Sequence, residues 1–195
     1  MADTKDIRGT RTEANVLSAY IAESTAYSRY IFYAKQAKKE NYFPIEQIFQ
    51  ETADNELHHA KVYFKFLQGG QVTVPITADS GVIGTTEENL LTAANEEQTE
   101  GVDQYLAYAK VAAEEGFQEI ADHFTAIAEI ERRHHARFMR YLEQVKNGTV
   151  WKRDTPIKWQ CLVCGYVYEG TTPPDVCPAC DHPYQHYIAL DFDEI

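Results

Sequence analysis

Ile120-Ala121-Asp122-His123-Phe124-Thr125-Ala126-Ile127-Ala128-Glu129-Ile130-Glu131-Arg132-Arg133-His134 is the stretch whose reading decides the fold. One stripe through it and just beyond reads Ile120, Phe124, Ile127, Glu131, His134, Phe138, Tyr141. Spacing that alternates by four and three puts these side chains on one face of one helix. A glutamate and a histidine in the middle of an apolar stripe each cost several kcal/mol, roughly, to bury unless their charge and hydrogen-bonding capacity are compensated. A metal ion compensates both. The same Glu-x-x-His spacing recurs at Glu56-Leu57-His58-His59, so the chain carries the arrangement twice.

Working outward, Thr10-Arg11-Thr12-Glu13 has the form of a capping box and opens a first helix, which fades near Lys39 to Asn41. Its stripe is Val16, Tyr20, Glu23, Tyr27, Tyr30, Ala34. Pro44 suits the first turn of a second helix that runs to a stop at Gly69-Gly70, with the stripe Ile45, Phe49, Thr52, Glu56, His59, Tyr63, Phe66. Residues 69 to 84, with Pro75, Val72, Val74 and Ile76, read as a long crossover connection. Thr85-Thr86-Glu87-Glu88 is a second capping box. The third helix then presents Leu90, Ala93, Glu97, Glu100, Gln104 and Ala107 on one face. Gly116 ends it, and the fourth helix follows directly and stops near Gly148. Four long helices with one long connection after the second predict a mainly α protein, a four-helix bundle of ferritin-like topology.

The polar intruders in these stripes are Glu23, Glu56, His59, Glu97, Glu100, Glu131 and His134. Five carboxylates facing one interior without a cation would repel, and their pKa values would rise until some were protonated. Two ferric ions with a bridging oxide nearly balance them. Carboxylates mixed with imidazoles suit iron or manganese better than a soft metal. Glu23, Glu56, His59, Glu97, Glu131 and His134 match the carboxylate-bridged dinuclear pattern of helical bundles, one Glu from each of two helices and a Glu-x-x-His from each of the other two. Glu96, Glu129, His58 and His135 are adjacent alternatives. Only the chosen set keeps both the spacing and the apolar stripe, so those four, with His123 and His186, read as surface or packing residues. Tyr27, Tyr30 and Tyr105 fit either core aromatics or, for Tyr30 and Tyr105, hydrogen-bond partners of the ligands.

Beyond Thr149 the character changes. Residues 149–158 read as a linker between a bundle (1–148) and a small unit (159–195) with prolines at 173, 174, 178 and 183 and short strand-like pieces such as Tyr166-Val167-Tyr168. All four cysteines lie here, as Cys161-Leu162-Val163-Cys164 and Cys177-Pro178-Ala179-Cys180. Two such knuckles make a tetrahedral sulfur site for zinc or iron. The formal net charge of -12 argues against non-specific nucleic-acid binding, and no run approaches a membrane span. Met1 to Asn15 lacks the apolar core of a signal peptide, so the expected location is the cytoplasm.

Taken together, these residues resemble the rubrerythrins: Ala22-Glu23-Ser24, the run Glu51-Thr52-Ala53-Asp54-Asn55-Glu56 through His59-Ala60-Lys61, and Cys161-Leu162-Val163-Cys164-Gly165-Tyr166-Val167 ahead of the second knuckle. Trp159, Tyr166 and Tyr168 add a likeness to rubredoxin, with a shorter inter-knuckle stretch and Asp181 in place of the usual glycine. The resemblance implies two irons held by Glu23, Glu56, His59, Glu97, Glu100, Glu131 and His134. It also implies one iron on Cys161, Cys164, Cys177 and Cys180, where zinc can take its place in recombinant protein. In that family a glutamate holds one iron when oxidised and a histidine when reduced, positions that fall on Glu100 and His59, and Tyr30 and Tyr105 match tyrosines beside the ligands. Gly101 departs from an aromatic common there. The implied function is an NAD(P)H-linked peroxidase that reduces hydrogen peroxide to water, with electrons from a redox donor protein or reductase, in a homodimer or larger homo-oligomer. A ferritin-like ferroxidase for iron storage, and a metal-binding regulatory protein with a zinc ribbon, are the rival readings.

Overall fold

Thr10 starts the first helix as its spacing predicts, and its hydroxyl accepts a hydrogen bond from the Glu13 amide at 3.1 Å. The reciprocal half of the box is displaced by one residue, because the Glu13 carboxylate takes the amide of Gly9 at 2.7 Å. The computed structural model describes residues 6–75 and 80–191. Among them, α1 spans Arg11–Lys39, α2 Phe43–Phe66, α3 Thr86–Glu96, α4 Tyr105–Glu114 and α5 Gln118–Asn147. Pro44 lies in the first turn of α2, Thr85 and Glu88 form the complete capping box of α3, and Gly148 ends α5 in the left-handed region at φ 64°. No helix among the described residues is long and apolar enough to cross a membrane.

Two expectations need correction. The second helix stops at Phe66 rather than at Gly69-Gly70, since Leu67 is already extended (φ -70°, ψ 134°). The third helix is not continuous: Glu97–Gln104 forms an eight-residue π-helical segment between α3 and α4. Wider π turns absorb extra residues, so the face that follows is rotated relative to an unbroken α-helix. Gln104 and Ala107 therefore point to solvent, and the buried stripe resumes at Tyr105, Ala109 and Ala112. Residues 71–75 and 80–85 of the crossover have no regular structure, and Ile76 lies outside the described residues.

The bundle has two apolar cores with a polar layer between them. One end packs Tyr30, Tyr33, Phe49, Leu90, Phe138 and Tyr141; the other packs Val16, Tyr63, Tyr105, Phe117, Phe124 and Ile127. The glutamates and histidines fall in the gap, so they are held by rigid aromatic packing on both sides.

After α5, β1 (Ile157–Cys161), β2 (Val167–Gly170) and β3 (Tyr187–Ala189) form an antiparallel sheet in the order β2-β1-β3. Ile157 and Lys158 already pair with Gly170 and Glu169. Trp151 ties this unit to the bundle. Its ring stacks on Tyr42 at 5.6 Å, and its indole N–H donates to the Tyr187 carbonyl at 3.0 Å.

Candidate functional site

Six of the seven intruders come together. Glu23 (α1), Glu56 and His59 (α2), Glu97 (π segment), and Glu131 and His134 (α5) are all buried. They form two overlapping groups of potential metal ligands, Glu23-Glu56-His59-Glu131 and Glu56-Glu97-Glu131-His134. Glu56 and Glu131 belong to both. The two Glu-x-x-His helices thus supply a shared carboxylate and a private imidazole each, while Glu23 and Glu97 each serve one group.

The distances show what is missing from a purely hydrogen-bonded reading. His59 Nδ1 lies 2.9 Å from Glu56, 3.0 Å from Glu131 and 3.7 Å from Glu23. His134 Nδ1 lies 2.7 Å from Glu131, 3.2 Å from Glu56 and 3.7 Å from Glu97. A ring nitrogen has one proton at most, yet three carboxylates converge on each. Glu56 Oε1 and Glu131 Oε1 are buried, and the Nδ1 atom nearest each is already engaged by another carboxylate oxygen, which leaves both without a hydrogen bond of their own. Orphaned oxygens in a dry interior are costly, and a cation in each group satisfies them. The donor set therefore fits a pair of hard, carboxylate-loving ions such as iron.

Electrostatics point the same way. Burial drives the Glu23 carboxyl well above its ordinary range, and burial with the Glu131 charge pushes Glu97 up to about 7. Burial opposes a charged imidazole at His59 and His134, but the surrounding carboxylates overcome it and raise both. The raised pKa values favour protonated rings in the metal-free fold. Metal can bind Nδ1 only after that proton leaves. Loading both groups at pH 7 is thus expected to release at least two protons per chain from His59 and His134. A weakly buffered titration with an indicator dye checks this, and no release would contradict the assignment.

Tyrosines orient the two private glutamates. The Tyr30 hydroxyl donates to Glu97 at 2.6 Å, and the Tyr105 hydroxyl donates to Glu23 at 2.8 Å. Burial raises both phenols far above their usual range, which keeps them neutral and able to donate. His134 Nε2 meets Asn55 Oδ1 at 3.2 Å, a contact that frees Nδ1 to serve as the ligand atom. Asn55 gave no sign of this in the sequence, because it sits one residue off the inward stripe.

Glu100 stands apart from both groups. It is half-buried and lines the same small cavity as Glu23 and Glu97. Next to it, Gly101 is buried for want of space. A Cβ there would lie 2.6 Å from Glu131 Cγ and 2.7 Å from its Cβ. Gly101→Ala is expected to displace Glu131 and destabilise the fold by about 1–3 kcal/mol, as overpacking does. Paired thermal melts and iron stoichiometry would read both effects; a variant with wild-type values for each would remove the steric argument. Of the adjacent alternatives, His58 and His135 bond backbone carbonyls at 2.7 Å, Glu129 pairs with Arg132 on the surface, and Glu96 pairs with Arg29. His123 and His186 pack on the rings of Phe66 and Phe43.

The four cysteines also converge. Cys161 and Cys180 have their sulfurs 3.7 Å apart, as do Cys164 and Cys177. Metal–sulfur bonds of about 2.3 Å in a tetrahedron imply edges of about 3.8 Å, so the spacing fits a single ion. Both knuckles turn alike: the Gly165 amide donates to the Cys161 carbonyl and the Asp181 amide to that of Cys177, each at 2.9 Å. Gly165 and Asp181 have φ of 79° and 59°. Aspartate visits this left-handed region more readily than most residues, which explains how it replaces a glycine.

Comparison with known proteins agrees with this geometry. The family model described as Rubrerythrin matches residues 14–142 and 88–160, and the one described as Rubrerythrin, rubredoxin-like domain matches 159–188. A rubrerythrin of Nitratidesulfovibrio vulgaris is 44% identical over 186 residues, covering 95% of this chain and 97% of that one. A rubrerythrin of Porphyromonas gingivalis is 45% identical over 183 residues, covering 94% and 92%. Among solved structures, nigerythrin in a mixed-valence state superposes with a TM-score of 0.60 at 27% identity, covering 97% of this chain and 90% of that one.

Proposed function

This chain belongs to the rubrerythrin family, and we propose that it is a non-haem di-iron peroxidase that reduces hydrogen peroxide to water. The observation that carries this reading is the presence in one chain of a paired carboxylate–imidazole centre and a single four-thiolate centre. The first suits a two-electron reduction, and the second suits refilling by one electron at a time. The balanced change is one peroxide, two electrons and two protons to two waters. When bound by Glu23, Glu56, His59, Glu97, Glu131 and His134, a pair of ferrous ions would supply those electrons.

The chain's own residues do the rest. Glu56 and Glu131 hold the two positions at a fixed separation, because each reaches both groups. Tyr30 and Tyr105 keep Glu97 and Glu23 from rotating away, and aromatic cores on either side exclude water. His59 lies within its group while Glu100 waits at the cavity wall. We assign them alternate roles: the neutral imidazole suits the reduced state, and the anionic carboxylate suits the more highly charged oxidised one. The catalytic set is then Glu100, His59, Tyr30 and Tyr105.

The proposal extends to a bundle at 1–148, a connecting segment at 149–158 and an electron-carrying unit at 159–195. NAD(P)H is the distant electron source through a reductase or donor protein, the assembly is a homodimer or larger, and the setting is the cytoplasm. Stopped-flow mixing of the reduced protein with hydrogen peroxide or dioxygen tests it. Reoxidation by peroxide should be faster by at least about tenfold; comparable rates would favour the ferroxidase reading. Glu100→Ala should slow the peroxide reaction by roughly 10–100-fold while two irons remain bound, and equal loss of both would refute its separate role.

A further inference from the structure

The cavity beside the metal ligands is small, about 30 Å³, and its wall includes Glu23, Glu97 and Glu100. That volume admits about two water-sized spheres. The wall also includes Arg29 of α1 and Glu96 at the end of α3, which are half-buried where Glu23, Glu56, Glu97 and Glu131 are fully buried. These two form an ion pair with side chains only 16% and 13% exposed. Gly81 of the crossover lies beside Arg29. A Cβ on Gly81 would lie 3.4 Å from Arg29 Nε and 3.6 Å from Cζ, so the guanidinium is confined between that backbone and Glu96.

We propose that the Arg29–Glu96 pair is the gate of this cavity and sets substrate size, admitting hydrogen peroxide and rejecting hydroperoxides with a bulky alkyl group. The inference rests on the peroxidase reading above and adds its selectivity. Hydrogen peroxide has two heavy atoms and no charge, so it can pass with a small opening of the pair. A tert-butyl group needs the guanidinium and the carboxylate to separate fully, which strands two poorly solvated charges. Neither residue belongs to the ligand groups, and neither touches the reacting atoms; they are specificity-determining residues. A pair that merely fastened α1 to α3 would alter stability and leave discrimination between peroxides untouched.

The test compares reoxidation of the reduced holoprotein by hydrogen peroxide and by tert-butyl hydroperoxide. In Glu96→Ala and in Arg29→Ala the ratio of tert-butyl to hydrogen peroxide rates is expected to rise at least tenfold. The double variant should go no further than the larger single one, because both remove the same closure. A second readout needs no turnover. Metal-free Glu96→Ala should take up cobalt(II), followed by its visible absorption, several-fold faster than wild type to the same final stoichiometry. Glu96→Gln keeps the side-chain volume and removes the charge; it should shift both readouts the same way and serves if either alanine variant fails to fold. Unchanged ratios in folded variants overturn the gate. Wild-type protein that reduced neither peroxide would overturn the peroxidase reading instead. The gate would then stand or fall on cobalt uptake alone, faster entry supporting it and unchanged entry overturning it.

Discussion

Glu131→Ala is expected to empty both metal positions of the bundle, whereas Glu23→Ala or Glu97→Ala should empty one. Glu131 lies in both ligand groups, with one oxygen 3.0 Å from His59 Nδ1 and the other 2.7 Å from His134 Nδ1. Its removal takes a donor from each position and leaves two imidazoles facing the remaining carboxylates. Glu56→Ala should behave alike, since Glu56 is shared in the same way from the opposite helix. Loss of a group that only orients a ligand costs about 10–100-fold in affinity or activity. Loss of a donor common to both positions should exceed that, with peroxide turnover down by more than about a hundredfold. Iron analysis distinguishes the classes directly: near zero per bundle for the shared glutamates, near one for the private ones. Equal stoichiometry across all four variants would show that the carboxylates are not divided in this manner.

The second large effect lies in the C-terminal unit. Cys177→Ser is expected to abolish donor-driven turnover and to unfold the sheet, while the chemically reduced bundle still completes a single turnover. The apolar core here is very small: Trp159, Cys161, Cys177, Tyr187 and Ala189 are its buried members, and two of those five are thiol ligands. A unit of this size needs a metal or disulfides to hold its fold. Structural zinc in zinc-finger peptides supplies an apparent binding energy of about 10–16 kcal/mol, which shows how far a four-ligand ion can carry a unit with so small a core. Trp159, fully buried with its indole N–H on the Gly170 carbonyl, reports the outcome by a red shift in fluorescence. The visible band of the ferric tetrathiolate should vanish with it. A variant that lost the band but kept donor-driven turnover would remove the four-cysteine centre from the electron path.

Much of this protein is legible in its sequence because the decisive signals are local. Periodicity placed Glu23, Glu56, His59, Glu97, Glu131 and His134 inward, and the two C-x-x-C knuckles announced a single ion site. Each depends only on the 3.6-residue repeat of a helix or on a tight turn, so no knowledge of distant residues is needed. Capping at Thr10 and Thr85 and the stops at Gly116 and Gly148 are legible for the same reason.

What the tertiary structure alone decided is the relation between residues far apart in the chain. The π segment moved the inward face from Gln104 and Ala107 to Tyr105 and Ala109, a change hinted at only by a mid-helix glycine. Tyr30 and Glu97 are 67 positions apart, Tyr105 and Glu23 are 82 apart, and their hydrogen bonds choose hydroxyl donors that the sequence left equal to ordinary core aromatics. Which glutamates are shared, why Gly101 must lack a side chain, and how Arg29 meets Glu96 all follow from how closely one helix approaches another. A helix repeat specifies which way a side chain points; only the packing of whole helices sets what it meets there.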